Sequence, residues 1–220
     1  MDAEPEISWV RLAAFLRQHT HDLRNGLNCL DLETALLQEI VTDDEGRDAV
    51  TRMRRQVRQL AEELRRISTL FQEPQPFCAP LPAHELLLIW REQQEALPEP
   101  PAVEWIEEID EEKVKADPEM MAAIFRELLV NARSFRDGEP AVASVRREGR
   151  EVVFELREPK GSSVDTAGWG HRLFSTTKRG GYGLGLWSIR RMVEANGATI
   201  TQRHTTGDAD LSTRIAMPTV

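Results

Sequence analysis

Four glycines lie in a polar stretch that runs directly into an apolar helical pattern near the C-terminal end of the chain. Residues 174–193 read FSTTKRGGYGLGLWSIRRMV and contain Gly180, Gly181, Gly183 and Gly185. Glycines let backbone amides approach a phosphate closely, and the N-terminus of the following helix carries partial positive charge. The pattern predicts a loop that holds nucleotide phosphates, although glycines in a loop can also provide mobility alone.

Two basic residues stand immediately before these glycines. Lys178 and Arg179 are placed to meet phosphate charge. They also fit the role of ordinary polar loop residues, and the sequence leaves both explanations open.

A helical pattern over EMMAAIFRELLVNARSF supplies two oxygen ligands. Phe125, Leu128 and Leu129 mark its buried side, while Glu127 and Asn131 lie four residues apart on one face. Carboxylate and amide oxygens suit a magnesium ion that bridges phosphates. A polar helix face in solvent is the alternative explanation for the same pair.

His21 is the candidate nucleophile of the chain. It follows Thr20, an inward position of the first helical pattern, so we expect its ring at the rim, facing water. Asp22 can hold the imidazole in one tautomer and take its proton, and Asn25 lies one turn further along, where its amide can position a water. A surface histidine beside an acid also occurs without any function.

Two long helices are expected to carry His21. Apolar positions alternate in spacings of three and four between residues 9 and 71, a stretch without proline, and the acidic turn TDDEGR ends at Gly46. Two such helices bury too little surface alone, so we expect a dimeric four-helix bundle; a hairpin packed only on its own chain is the alternative. The seam positions are Leu16, Thr20, Leu23, Leu27, Leu30, Thr34, Leu37 and Val41, then Val50, Met53, Val57, Leu60, Leu64, Ile67 and Phe71.

Prolines at positions 74, 76, 80 and 82 mark the expected boundary between two domains, because such a density ends a helix and stiffens the connection. We expect the helical hairpin over residues 1–73 and an α+β domain over residues 77–220. In the second, HELLLIWREQQEAL looks helical and Asp117-Pro118 predicts a helix start. VEWIEEI, AVASVRRE, EVVFELRE and a C-terminal hairpin turning at Gly207-Asp208 alternate like strands. This mixture predicts an α/β sandwich with helices on one face of a mixed sheet.

Composition narrows the class of protein. A net charge of −9 argues against broad nucleic-acid binding. No apolar run is long enough to span a bilayer, and the acidic N-terminus does not have the form of a signal peptide, so we expect a cytoplasmic protein. Cys29 and Cys78 have no partner motif and are expected to be small buried thiols.

Together these features resemble the transmitter region of the sensor histidine kinases of two-component signalling, over nearly the whole chain. HDLRNGL at residues 21–27 is similar to the phosphoacceptor box of that family, with Gly26 where a proline is usual. ELLVNA at residues 127–132 resembles the asparagine box, and FSTTKRGGYGLGL at residues 174–186 resembles the phenylalanine box and second glycine box. The resemblance implies a dimerisation and phosphoacceptor hairpin followed by an ATP-binding domain of the GHKL fold.

The resemblance also implies roles for individual residues. His21 would accept the γ-phosphoryl group of ATP, with Asp22 as general base. Asp22 and Asn25 fit the pattern that promotes dephosphorylation of a partner, and Asn131 would ligate magnesium. The implied phosphate-binding residues are Lys178 of the lid with Gly181, Gly183 and Gly185.

One segment departs from the family pattern. The family places D-x-G-x-G after the strand EVVFELR, and its aspartate hydrogen-bonds the adenine amino group. This chain has Glu158, one methylene longer, followed by Pro159, Lys160 and Gly161. A misplaced carboxylate in a buried pocket costs about 1–3 kcal/mol, so we expect weakened adenine recognition beside intact phosphate recognition.

Three functions remain open at this point. The first is an ATP-dependent autokinase that phosphorylates His21 and passes the phosphoryl group to an aspartate of a response-regulator receiver domain. The second is an ATP-independent histidine phosphotransferase that shuttles phosphoryl groups between receiver domains, suggested by the altered adenine segment. The third is a dimeric binding module without chemistry, which leaves His21, Asp22 and Asn25 unexplained.

Overall fold

The computed structural model describes residues 9–70, 72–134, 140–160, 166, 168–171, 183–204 and 210–220. The chain divides into two compact units, Met1–Glu73 and Pro74–Val220. Among the described residues, no helix is both long enough and apolar enough to cross a membrane.

The first unit is a helical hairpin of α1 (Trp9–Ile40) and α2 (Asp44–Leu70). Its turn is shorter than the sequence suggested, because Gly46 lies inside the first turn of α2. The Asp43 carboxylate accepts a hydrogen bond from the Gly46 amide at 2.7 Å, and a Cβ on Gly46 would lie only 2.5 Å from Val41 Cγ1. The glycine therefore permits a close approach between the turn and α2, instead of ending the turn.

The seam of each helix alternates between two sets of positions, and the hairpin covers only one of these sets. Thr20, Thr34 and Val50 are buried between α1 and α2. The threonine hydroxyls donate to the backbone carbonyls four residues earlier at 2.8 Å, which satisfies their hydrogen bonds inside the seam. Of the alternate positions, Leu16 is half-buried. Five others remain 42–53% exposed, and they are Leu23, Leu30, Leu37, Met53 and Leu60.

The expectation of two buried thiols is wrong for Cys29. Its side chain is exposed on α1, while Cys78 is half-buried in the second unit. The Cys78 thiol donates a weak hydrogen bond to Asn196 Oδ1 at 3.6 Å. The helical period explains the error, since residue 29 falls outside the seam that the hairpin covers.

The second unit contains a mixed sheet, as predicted. Within the described residues this sheet has five strands, which are β2 (Val103–Glu108), β4 (Ala141–Glu148), β5 (Glu151–Pro159), β6 (Thr199–His204) and β7 (Asp210–Pro218). They lie in the order β2-β4-β5-β7-β6. Strand β2 pairs with β4 in parallel, and the other neighbours are antiparallel. The expected turn at Gly207-Asp208 lies outside the described residues.

Helices cover one face of this sheet. They are α3 (Ala83–Glu95), α4 (Pro118–Ser134) and α5 (Gly185–Ala195), and their apolar sides form one core with the sheet. On β5, Val152, Phe154 and Leu156 point into this core. On the other face, Glu155 binds Arg146 at 2.7 Å. The alternation of β5 thus separates an apolar layer from a charged one.

Two short strands form a second sheet that the sequence did not predict. Strand β1 (Ala79–Pro82) pairs antiparallel with β3 (Lys113–Ala116). The segment APLP was interpreted as a stiff connection because of its prolines. Proline is nevertheless tolerated on edge strands, where a missing N–H breaks no ladder hydrogen bond.

Asp117 ties this small sheet to α4. Its carboxylate accepts hydrogen bonds from the amides of Met120 at 3.0 Å and Phe77 at 2.7 Å, so it caps the helix start that the sequence predicted. Burial opposes ionisation, but these backbone hydrogen bonds outweigh it and lower the pKa of Asp117 below 3.8. The ionised form of the Asp117 carboxylate therefore stabilises the folded protein.

We predict that Asp117→Ala destabilises the protein by about 1 kcal/mol at neutral pH, because two amides lose their acceptor. A lowered native pKa makes this stabilisation complete above the ordinary value of 3.8, and it is lost as the pH falls below it. Urea unfolding from about pH 7 to about pH 3 tests this, and the gap between the two proteins should narrow with acid. A gap that is independent of pH would contradict the capping role.

Candidate functional site

His21 lies on the outer surface of α1. Its side chain is 63% exposed and that of Asp22 is 60% exposed. The heptad explains this placement, because the preceding residue, Thr20, occupies the covered seam. Nothing in the described hairpin blocks access of a reagent to the imidazole ring at this exposure.

Two neighbouring side chains lie close to one ring nitrogen of His21, Nδ1, and the contacts that they make do not involve the other nitrogen, Nε2. Nδ1 lies 3.3 Å from Asp22 Oδ1 and 3.4 Å from the Asn25 side-chain nitrogen. A carboxylate can only accept, so Asp22 favours the tautomer with hydrogen on Nδ1, whereas the Asn25 nitrogen can only donate and would favour the other tautomer. The contact with the charged carboxylate is the stronger and shorter of the two, so the tautomer with hydrogen on Nδ1 prevails. This tautomer leaves the lone pair on Nε2, which is the nucleophilic form of the ring.

Gln18 completes this cluster and was missed from the sequence. Its amide donates to both oxygens of Asp22, at 3.1 and 3.3 Å. The hydrogen bond with His21 and then the one from Gln18 lower the pKa of Asp22 below 3.8, so its carboxylate is ionised at neutral pH. The spacing of four residues between Gln18 and Asp22 was the available signal, since such positions are neighbours on a helix.

A second cluster joins α4 to the start of α5. A Cβ built on Gly185 would lie 2.5 Å from a carboxylate oxygen of Glu127, so the glycine allows the carboxylate to pack directly on the backbone. Asn131 lies one turn beyond Glu127 on α4 and is half-buried. The structure therefore brings the asparagine-box helix and the last glycines of the Gly-rich loop together.

The described glycines have the backbone expected of a phosphate-binding turn. Gly183 has a φ of 64°, which favours glycine, and Gly185 is the first residue of α5. Among the described residues no side chain caps the start of α5 by a hydrogen bond, and uncapped amides at a helix start are groups that can bind phosphate. The other two predicted phosphate-binding residues, Lys178 and Gly181, lie outside the described residues.

The side chains of this cluster are of a chemical type that suits magnesium. Glu127 and Asn131 offer hard oxygen ligands, and magnesium on a nucleotide takes most of its ligands from phosphates and water. The described residues contain no group of three or more histidine, cysteine, aspartate or glutamate side chains that could bind a metal alone. The role of Glu127 and Asn131 as ligands therefore stays a prediction that requires the nucleotide.

Glu158 lies at the end of β5 that approaches α4, but its carboxylate already has a partner. Lys160 Nζ donates to Glu158 Oε2 at 2.9 Å, and their side chains are 8% and 10% exposed. Burial raises the pKa of Glu158, and the ammonium only partly opposes that shift. The two residues line a small pocket with Ala132 of α4 and residues 101, 102, 141 and 159.

The nucleotide fit thus differs along the C-terminal half of α4. At Glu127 the residues suit phosphate and magnesium. About 7.5 Å further along the helix axis, beside Ala132, the residues are less suited to an adenine amino group, because Lys160 Nζ already donates to one of the two carboxylate oxygens of Glu158. The sequence identified Glu158 as altered but missed the pairing with Lys160, which stands where the family pattern has its first glycine.

Comparison with known proteins gave no match to any family model and no match to a curated protein sequence. Solved structures do match. The crystal structure of full-length ShkA in complex with AMPPNP aligns with a TM-score of 0.68 at 18% identity, over 94% of this chain. The aligned region is 46% of ShkA, so this chain spans about half the length of that protein.

Two further histidine kinases align over most of their own length. Acinetobacter baumannii histidine kinase AdeS has a TM-score of 0.51 at 13% identity, over 90% of this chain and 97% of AdeS. The catalytic domain of histidine kinase ThkA has a TM-score of 0.50 at 18% identity, over 64% of this chain and 95% of that domain. The chain therefore has the fold of a sensor histidine kinase transmitter region.

Proposed function

We propose that this protein is a two-component signalling histidine kinase that takes a phosphoryl group from a nucleoside triphosphate onto His21 and transfers it to an aspartate of a receiver domain. The observation that carries this proposal is the exposed imidazole with Nδ1 held by Asp22. Such a ring presents a nucleophilic nitrogen to a phosphate donor and later to a receiver. The fold shared with histidine kinases, one of which binds AMPPNP, supports the choice of donor.

The chemistry assigned to the hairpin is nucleophilic substitution at phosphorus. The Nε2 lone pair of His21 forms the new P–N bond as the bond from phosphorus to its leaving oxygen breaks. Asp22 accepts the Nδ1 proton or its hydrogen bond, which stabilises the positive charge that develops on the ring. Transfer to a receiver reverses this step, with a carboxylate oxygen as the new nucleophile.

The α4–α5 cluster is assigned to holding the donor. Asn131 and Glu127 would ligate magnesium on the phosphates, and the amides around Gly183 and Gly185 would bind phosphate oxygens. Phosphoryl transfer is mainly positioning and charge neutralisation, which are the functions that these groups can supply. Lys178 and Gly181 are proposed for the same role from sequence alone.

The hairpin is proposed to act as a homodimer. Its uncovered seam positions, Leu23, Leu30 and Leu37 on α1 with Met53 and Leu60 on α2, lie at heptad spacing and leave apolar surface in water. A second hairpin that presents the same stripe would cover both, as in a symmetric four-helix bundle.

The ATP-independent phosphotransferase is the second candidate. One observation favours it, namely the buried ion pair between Glu158 and Lys160 at the base end of the site. In this role His21 would receive its phosphoryl group from a phosphorylated receiver domain, and the second unit would support the dimer or the docking of partners.

We predict that His21→Ala abolishes phosphorylation of the protein and that His19→Ala does not. His19 is the matched control, an exposed histidine on the same helix that stacks on Phe15 with ring centroids 4.8 Å apart. The measurement is acid-labile, alkali-stable label, after incubation either with radiolabelled ATP and magnesium or with a phosphorylated receiver domain.

The two donors separate the two candidates. Label from ATP supports the kinase, and label only from the receiver supports the phosphotransferase. If neither donor labels the intact protein at His21, both proposals are wrong and the binding-module hypothesis takes their place.

We predict that Asp22→Asn slows phosphorylation of His21 by about 10²-fold or more, because asparagine keeps a hydrogen-bond acceptor but cannot take a proton. Asp31→Asn makes the same change on α1 away from His21 and should have little effect. Hydrogen bonds with His21 and Gln18 lower the pKa of Asp22, so its carboxylate stays ionised at neutral pH and the slow phosphorylation of Asp22→Asn should persist across the neutral range. Equal rates for Asp22→Asn and the intact protein would contradict this assignment.

We predict that Leu30→Glu weakens dimerisation by at least about tenfold, because each dimer would bury two charges in the seam. Asn28→Glu adds the same charge at an exposed position of α1 and serves as the control. Sedimentation equilibrium measures the effect. Equal association by the two variants would show that the exposed stripe is not the dimer interface.

A further inference from the structure

The base end of the proposed nucleotide site contains its own hydrogen-bond donor. Lys160 Nζ donates to Glu158 Oε2 at 2.9 Å, and both residues are less than a tenth exposed. They line a pocket whose other walls are apolar atoms and backbone from Ala132, Ala141 and the segment before β2. A charged donor and a charged acceptor therefore face each other where a flat base would have to enter.

This arrangement is poorly suited to an adenine amino group. An exocyclic amine needs an acceptor, and only Oε1 of Glu158 is left for it, beside an ammonium group that has three donors and no acceptor. Separating the buried pair to admit the base would leave an uncompensated charge, which is strongly destabilising. Pro159 between the two residues fixes φ at that position and restricts the backbone change that could part them.

The phosphate end of the site does not involve this pair. Glu127 packs on the backbone of Gly185 at the start of α5, and Asn131 follows on the same face of α4. These residues recognise charge and need no information about the base. The two ends of the site therefore make separate contributions to binding.

We propose that Glu158 and Lys160 fill the base end with their own ion pair, so that the site binds nucleoside triphosphates through their phosphates and does not select adenine. The location of the site rests on the proposed function; the closing of the base end rests on the contact between the two side chains. The substrate class is a magnesium-bound triphosphate with any base. Lys160 is the residue that determines this lack of selectivity.

Calorimetry with the magnesium complexes of ATP, GTP and inorganic tripolyphosphate tests the proposal. In the intact protein the three dissociation constants should agree within about threefold. In Lys160→Ala the Glu158 carboxylate is released, so ATP should bind at least about tenfold tighter while tripolyphosphate is unchanged. Lys115→Ala, an exposed lysine of β3, is the matched control and should leave every affinity unchanged.

A second variant covers the case in which an unpaired carboxylate unfolds Lys160→Ala, as circular dichroism would reveal. Glu158→Gln with Lys160→Met has similar volume and no buried charge, and its amide oxygen can accept from adenine. It should also gain affinity for ATP over tripolyphosphate. The proposal is overturned if the intact protein prefers ATP to tripolyphosphate by more than about tenfold, or if no folded variant gains affinity for ATP.

Failure of this proposal can be distinguished from failure of the proposed function. If the intact protein binds none of the three ligands, the kinase assignment fails and the phosphotransferase is favoured. The gain of ATP affinity in the variants still decides whether Lys160 closes the base end.

Discussion

Phe125 of α4, Trp90 of α3 and Phe154 of β5 form a cluster in which every ring contacts the other two, with centroids 4.8, 5.6 and 6.3 Å apart. All three rings are almost completely buried, and truncation of such a ring costs about 3–5 kcal/mol. This cluster holds both the position and the rotation of α4 on the sheet. Because α4 cannot rotate, the helix face that carries Glu127 is held against α5, and Ala132 is held near the end of β5. The geometry of the candidate nucleotide site therefore depends on an apolar contact that no ligand would touch.

The hairpin differs from the second unit in how its apolar residues are distributed between buried and exposed positions. Its covered seam includes Thr20 and Thr34, whose hydroxyls are satisfied by the carbonyls of their own helix. Such residues add little apolar area, so the covered seam stabilises the hairpin less than a leucine seam would. Four further leucines lie at uncovered positions, namely Leu23, Leu30, Leu37 and Leu60. The described hairpin therefore leaves large apolar groups exposed, and their burial against a second hairpin is the stabilisation that the proposed dimer would add.

Elements with a strong period could be predicted from the sequence, and those set by tertiary context could not. The alternation of β4 and β5 predicted both strands, since one face packs on helices and the other carries Arg146 and Glu155. Strand β1 was missed because its prolines outweigh any periodicity in four residues. The exposure of His21 followed from the heptad, and its hydrogen bond with Asp22 followed from adjacency. The pair of Glu158 with Lys160 required knowledge of the backbone turn after β5, because two residues apart on a strand share a face but do not have to touch.

The buried pair of Glu158 and Lys160 also affects which part of a nucleotide the proposed site would bind. An ion pair of this burial adds little to stability compared with apolar residues of the same size, since desolvation of both charges offsets their attraction. The main consequence of the pair at the end of β5 is therefore its effect on the pocket, and not its contribution to folding. It holds a polar, closed surface beside α4 whether or not a ligand is present. Under the proposed function, affinity would then come from the backbone amides at the start of α5 and from magnesium on Glu127 and Asn131, because a phosphate chain has the same chemistry in every nucleotide. A site divided in this way would couple donor binding to the phosphoryl group that is transferred, and not to the base.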